Sequence, residues 1–238
     1  MYKEESIKKM ISKATETMTL YRQGKLGPLT ICISRGNRKI GRVLNVSLMP
    51  VMTCGNCKHC KGICYDIKAC LQYSGVIPAR VRNTLLAREH REEYFRLIDQ
   101  ACTRRKRNKY FRWHVAGEIL DLDYFARMVE IARKHPDFRF WTYTKMYELV
   151  NQYCDQNGGK SAIPENLSIM FSEWKIQTDD GRFVVIPFNN PYGFPVFAVR
   201  FHGEEEPKHL FRCPGNCDIC KESHHGCPYG ESSYADEH

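Results

Sequence analysis

Four cysteines fall within the eleven residues CGNCKHCKGIC, and their order Cys54-x2-Cys57-x2-Cys60-x3-Cys64 is a chemical signal. Thiolates at x2 intervals on a tight loop can each reach a different iron of one cubane, and this spacing is used to hold [4Fe–4S] clusters. Structural zinc prefers two cysteine pairs separated by a dozen or more residues. Two residues between the pairs would strain a tetrahedral site, so an iron–sulfur cluster is the first expectation and zinc the alternative. The proline that often follows the last cysteine of such a run is absent, since Tyr65 follows Cys64, and Cys70 is available to replace any one of the four.

A second group, Cys213, Cys217, Cys220 and Cys227, lies near the C-terminus. Its first three members have the x3, x2 spacing of the radical S-adenosylmethionine (radical SAM) cluster motif, in which three cysteines leave one iron open. That motif belongs after the first strand of a barrel, whereas here it follows the last predicted strand. Cys227 can also close the site with a fourth thiolate. A four-ligand site holding zinc or a second iron–sulfur cluster is therefore expected, and a structural staple is as plain a role for it as a reactive centre. Cys32, Cys102 and Cys154 stand alone and read as small buried side chains.

Other residues that could do chemistry follow predicted strands. In RWHVAGEILDLDYF, His114 lies within a strand and Glu118, Asp121 and Asp123 just beyond it. The next strand runs into Lys145 and the one after into Glu173. Reactive groups in parallel α/β proteins collect at the carboxyl ends of strands. His114, Glu118, Asp121, Lys145 and Glu173 are thus candidate catalytic residues for acid–base work or anion binding. The plainer readings are that Glu118 and Asp121 cap a helix, that Lys145 is solvated, and that His114 is a core histidine.

The elements that must position these groups are legible from periodicity. Residues 3–17 carry Ile7, Met10, Ile11 and Ala14 at helical spacing. LTICIS and RVLNVSLMP read as two strands joined by the hairpin loop RGNRKIG. One long helix is predicted over 79–107. KYFRWHVAG, FRFWTYT, NLSIMFSEW, RFVVIPF and FPVFAVRF read as strands, and DLDYFARMVEIARKHP and KMYELVNQYC as helices. Alternation with short links predicts an α/β fold: a partial β/α barrel or an open, mostly parallel sheet of about three to five strands, with two cysteine-rich metal-binding segments. The division expected is an N-terminal helix (1–28), strands with the first cysteine group (29–78), an α/β core (79–202) and a C-terminal cysteine segment (203–238) ending in a loose tail, PYGESSYADEH.

Composition bounds the partners. With 42% hydrophobic and 12% aromatic residues among 238, the chain is globular. No apolar run nears the roughly 18 residues of a membrane span. The charged, amphipathic N-terminus is unlike a secretory signal. A cytoplasmic, reducing location is expected, which favours metal ligation over disulfides. The formal charge is +9, falling to about +5 if each cysteine group holds a centre of net charge near −2. Residues 80–112 hold eleven Lys/Arg against four Asp/Glu. Arg104, Arg105, Lys106, Arg107 and Lys109, beside Tyr110, Phe111 and Trp113, are candidate contacts for DNA or RNA phosphates; the alternative is a solvated helix end.

The blocks VSLMPVMTC, FRWHVAGEI, YTKMYELVN, IPENLSIMFSEW, NPYGFPV and CPGNCDIC with its trailing GC, spanning roughly Leu29 to Cys227, resemble the phage gene-product-88 family. The resemblance implies origin in a phage or mobile element and no particular reaction. Taken with the motifs, three functions are expected: an iron–sulfur protein acting on a nucleic acid or nucleotide, a zinc-stabilised nucleic-acid-binding module without catalysis, and a radical SAM-like enzyme.

Overall fold

A computed structural model describes residues 4–55, 57, 60, 62 and 64–237. Lys3 and His238, which begin the predicted first helix and end the predicted tail, lie outside the described residues. The chain opens with α1 (Glu4–Arg22), whose Ile7, Met10, Ala14 and Met18 form one buried stripe. Then come β1 (Leu44–Asn45), α2 (Tyr65–Gln72), α3 (Val76–Glu89), α4 (Arg91–Arg104), β2 (Tyr110–Arg112) and α5 (Leu122–Lys134). After these follow β3 (Arg139–Thr144), α6 (Tyr147–Gln156), β4 (Leu167–Ser172), β5 (Lys175–Gln177), β6 (Phe183–Val185) and β7 (Val196–Arg200). The chain closes with β8 (Phe211–Arg212), α7 (Cys217–Ser223) and β9 (Ser233–Asp236).

Seven strands form one sheet in the order β1-β2-β3-β4-β7-β9-β8, every pairing parallel. The sheet is open and no barrel closes. A parallel sheet must be covered on both faces, and β3 shows how. Phe140 joins the main core with Phe111, Trp113, Tyr124, Phe125 and Met128 beneath the helices. Its alternate residue Trp141 packs with Val43, Met170 and Cys227 on the other face, where Tyr143, Phe197 and Cys217 adjoin them. Helices cover one face and the C-terminal cysteine segment covers the other. A third cluster joins α1, α2 and α3 through Met10, Ile67, Cys70, Ile77 and Val81.

Several sequence expectations need correction. The long helix over 79–107 is two helices, broken at His90 (φ −137°, ψ 50°). The break lets α3 lie against α1 while Arg91 turns to the acids that open α5. LTICIS forms no strand; Ser34 alone makes an antiparallel bridge, to Asn45. RFVVIPF does not enter the main sheet, because β6 pairs antiparallel with β5 in a separate hairpin. The supposed loose tail is β9, inserted between β7 and β8. Tyr234 and Ser233 are fully buried there, and Asp236 is ion-paired with Arg200 and Arg212. Two short strands with few apolar residues are hard to recognise from periodicity, so the sheet has more strands than expected.

Tyr234→Ala should lower the unfolding free energy by about 3–5 kcal/mol, the usual loss for a buried aromatic. Denaturant unfolding checks this; a tail that was loose would give no change.

Candidate functional site

Register places the ends of four strands at one level. Thr144 is opposite Phe171, and the β1–β2 pairing continues past the strands through Leu48 N–H to the carbonyl of Ala116 at 2.8 Å. The segments that follow therefore share the carboxyl edge of the sheet: the first cysteine group after β1, Glu118 after β2, Lys145 after β3, and Ser172, Glu173 and Trp174 after β4. Gly117 makes the turn beneath this edge possible. Its φ is +81°, and a Cβ there would lie 2.6 Å from Leu48 Cβ and 2.8 Å from Thr53 Oγ1.

Glu118 is buried and ties two strand ends together. Its Oε1 accepts from Ile119 N at 3.0 Å and Thr144 Oγ1 at 2.9 Å, and its Oε2 from Lys145 N at 2.7 Å. Burial pushes its carboxyl up from the ordinary value, partly opposed by these donors. The Lys145 ammonium donates to Ser172 Oγ at 2.7 Å and lies 5.6 Å from the Trp174 ring centre. Tyr147 donates to the Ser172 carbonyl.

The early cysteines come down onto this floor. A Cβ on Gly55 would lie 3.1 Å from Met146 Cε, so the loop rests on the residue after Lys145. Cys54, Cys60 and Cys64 are within electrostatic reach of one another; Glu118 acts on Cys54 and Cys60, and Lys145 on Cys60 and Cys64. Burial pushes the Cys54 thiol up to about 12 and Cys60 up to about 11. Burial raises Cys64 as well, opposed by the amides of Ile67 and Asp66 at the start of α2. Cys57 belongs to the same set, since it acts on Cys60. Cys70 turns into the α1–α2–α3 cluster with its sulfur 3.9 Å from Asp66 Oδ2, beside the Asp66–Arg80 ion pair. Beside Cys54 a cleft of about 270 Å³ is lined by Met52, Thr53, Arg88, Arg91 and Asp121.

The remaining candidates divide. His114 sits in the core rather than at the edge. Its Nε2 is 3.0 Å from Tyr124 Oη, which donates to Tyr94 Oη at 3.1 Å, and its Nδ1 is 3.5 Å from Thr142 Oγ1. Since the Tyr124 proton is committed to Tyr94, Nε2 carries the imidazole proton. Burial pushes His114 down to about 3, and its φ of 48° bends the chain after β2. Asp121 is the cap of α5, accepting from Tyr124 N at 2.9 Å, and pairs with Arg91. Asp123 also pairs with Arg91. Glu173 faces Lys175, Glu204 and His209, and burial raises its carboxyl. Ser172, at a predicted strand end, and Tyr147, within the YTKMYELVN block, were not among the candidate site residues, because neither a lone serine nor a lone tyrosine carries a motif of its own.

The basic run lies at the opposite edge, since Lys109 immediately precedes β2. Arg104, Lys106 and Arg107 are exposed, Arg105 is half-buried, and Lys109 pairs with Asp137.

The late cysteines occupy neither edge. Cys217 and Cys227 lie over the sheet face, with Cys213 and Cys220 within electrostatic reach. The loop over 35–41 fastens this segment. Cys217 N donates to the Lys39 carbonyl at 3.1 Å and Arg42 N to Asp218 Oδ1 at 3.2 Å, and Asp218 fills the space a Cβ on Gly41 would need. All twelve cysteines are unpaired thiols. Among the described residues, no three His, Cys, Asp or Glu side chains stand close enough together to hold a metal ion.

The fold and site define an open parallel α/β protein with a cysteine loop over its strand ends. The gene product 88 family model matches residues 12–216, and the chain belongs to that family. It is 31% identical over 116 residues to the Gene 88 protein of Mycobacterium phage L5. That match covers 48% of this chain and 45% of the phage protein, so the chain spans less than half the length of the relative it matches. No solved structure matches. Among the described residues, no helix is long and apolar enough to cross a membrane.

A histidine held neutral in the fold and protonated when unfolded stabilises fully above its unfolded pKa of about 6.5, and the contribution is lost as pH falls toward its folded value. With His114 near 3, stability should fall by up to about 1.4 kcal/mol per pH unit below 6 from this group alone. His114→Asn, a residue that tolerates positive φ, should flatten that slope in urea unfolding followed against pH.

Proposed function

We propose that the chain is an iron–sulfur protein whose cluster is held by Cys54, Cys57, Cys60 and Cys64 at the carboxyl edge of the sheet. The observation that carries this reading is the convergence of Cys54, Cys60 and Cys64 with Glu118 and Lys145. The donor set fits the group: four thiols at cubane spacing, half-buried, with an ammonium at hand to offset the negative charge of a thiolate-bound cluster. Drawing the sulfurs together is the work of the metal itself, as in other sites where binding and local folding are one event.

The reading extends to catalysis on a nucleic acid or nucleotide brought to this edge. Lys145 is hydrogen-bonded to the neutral Ser172 hydroxyl, and Arg88 lines the adjoining cleft; these cations suit an anionic substrate, whereas Arg91 there is already paired with Asp121 and Asp123. Glu118 and the Lys145–Ser172 pair would bind and orient it. The distant basic run favours the second reading, a zinc-stabilised module holding DNA or RNA through Arg104, Arg105, Lys106, Arg107 and Lys109, because Arg104, Lys106 and Arg107 are exposed. That module would lose affinity steeply with added salt.

Protein purified without oxygen should contain about four iron and four sulfide per cluster, and Cys60→Ser should abolish the iron–sulfur absorbance of the early site. Zinc without sulfide would overturn the assignment.

A further inference from the structure

Arg112 ends β2 on the face covered by the C-terminal segment. Its guanidinium carbon lies 4.6 Å from the Tyr143 ring centre. Its Nε is buried without a hydrogen-bond partner. Among the described residues no carboxylate reaches it at ion-pair distance; its electrostatic neighbours are Tyr143, Tyr65, Cys217 and Cys227. Arginine stays charged at any ordinary pH; Arg112 is half-buried, and a charge partly withdrawn from water without a counter-ion is unfavourable. Phenols ionise only near pH 10, so the Tyr143 and Tyr65 hydroxyls are neutral. The thiols are the remaining source of negative charge.

The other charged groups around these thiols have partners of their own. Lys221, over the Tyr110 ring, is ion-paired with Asp218, and Glu231 Oε2 accepts from Gly226 N at 2.7 Å and lies 3.2 Å from His225 Nδ1. Tyr143 packs against Cys227, its hydroxyl within electrostatic reach of the sulfur. Ser233, also beside that sulfur, already donates to the Glu231 carbonyl at 2.8 Å, which leaves Tyr143 as the donor. A hydroxyl beside a sulfur and an unmatched guanidinium are what outer partners of a metal thiolate supply.

We propose that Cys213, Cys217, Cys220 and Cys227 form a closed four-thiolate site for a divalent metal of the zinc class, and that Arg112 is its counter-ion, with Tyr143 as hydrogen-bond donor to Cys227. Four thiolates around a divalent metal carry a net charge of about −2, so the cation that the sheet leaves unpaired becomes a stabilising partner. The sulfurs are near one another but not gathered as ligands, and the metal closes the site. Neither the early cysteines nor their occupant enters this assignment.

The test uses the full chain with Cys54, Cys57, Cys60 and Cys64 changed to serine, titrated with cobalt(II) without oxygen and read by thiolate-to-cobalt charge-transfer and d–d absorbance. One cobalt per chain with tetrahedral bands is expected. Arg112→Met should weaken binding by about tenfold or more, as loss of an outer partner does, Arg112→Lys should recover part of it, and Tyr143→Phe should shift the charge-transfer band. If the serine variant fails to fold, the unaltered chain is compared with Cys227→Ser, the late equivalent being the one that variant loses. Absence of a thiolate–cobalt band from the late group, or equal affinity with Met at 112, would refute the proposal. Iron and sulfide in Cys227→Ser report on the early group separately.

Discussion

Two-sided burial of β3 is the constraint from which the arrangement follows. Phe140, Thr142 and Thr144 face the helices, and Trp141 and Tyr143 face the C-terminal segment. Both Trp141 and Phe140 are fully buried, and each contributes roughly 1.5–3 kcal/mol relative to exposure. Sliding the strand by one residue would exchange the two sets. That locked register fixes the height at which the chain leaves β3, and therefore where Lys145 stands relative to Glu118 and Ser172. It also fixes Tyr143 beneath Cys227.

Parallel topology then separates the polar groups in space. Carboxyl ends of β1 to β4 bring together the early cysteines, Glu118 and Lys145, while the run from Arg104 to Lys109 enters at the amino end of β2. A strand rises about 3.3 Å per residue, so the six residues of β3 put these edges about 20 Å apart. A single bound nucleotide cannot engage both. The basic run and the cysteine floor are separate features, and a long nucleic acid would have to pass across the molecule to touch each.

Much of this was legible from sequence. The helix over DLDYFARMVEIARKHP and the strands FRFWTYT and NLSIMFSEW appear where periodicity put them, because each packs a clear face. Glu118 and Lys145 do meet just past their strands, through the Lys145 amide. Elements decided by distant partners were hidden. β9 exists because β7 and β8 flank it, and nothing within SYAD announces that. The helix break at His90 depends on Asp121 and Asp123 receiving Arg91, thirty residues away. His114 illustrates the reverse case: its motif suggested chemistry, but two tyrosines and a threonine enclose it.

The cysteines show how far spacing alone can reach. It separates two groups, but it does not say that one overhangs the strand ends while the other is pressed against a sheet face. That difference governs their chemistry. The early group at the edge adjoins a cleft lined by Arg88, Arg91 and Asp121, with Lys145 on its other side. The face-bound group is enclosed by Trp141, Tyr143 and Phe197, with Asp218 locked onto Gly41. An enclosed four-thiolate site leaves no open coordination position, which is the arrangement of structural rather than catalytic metals. On the assignments proposed above, the late group would hold the far sheet face closed, and the early group would be the one placed to do chemistry.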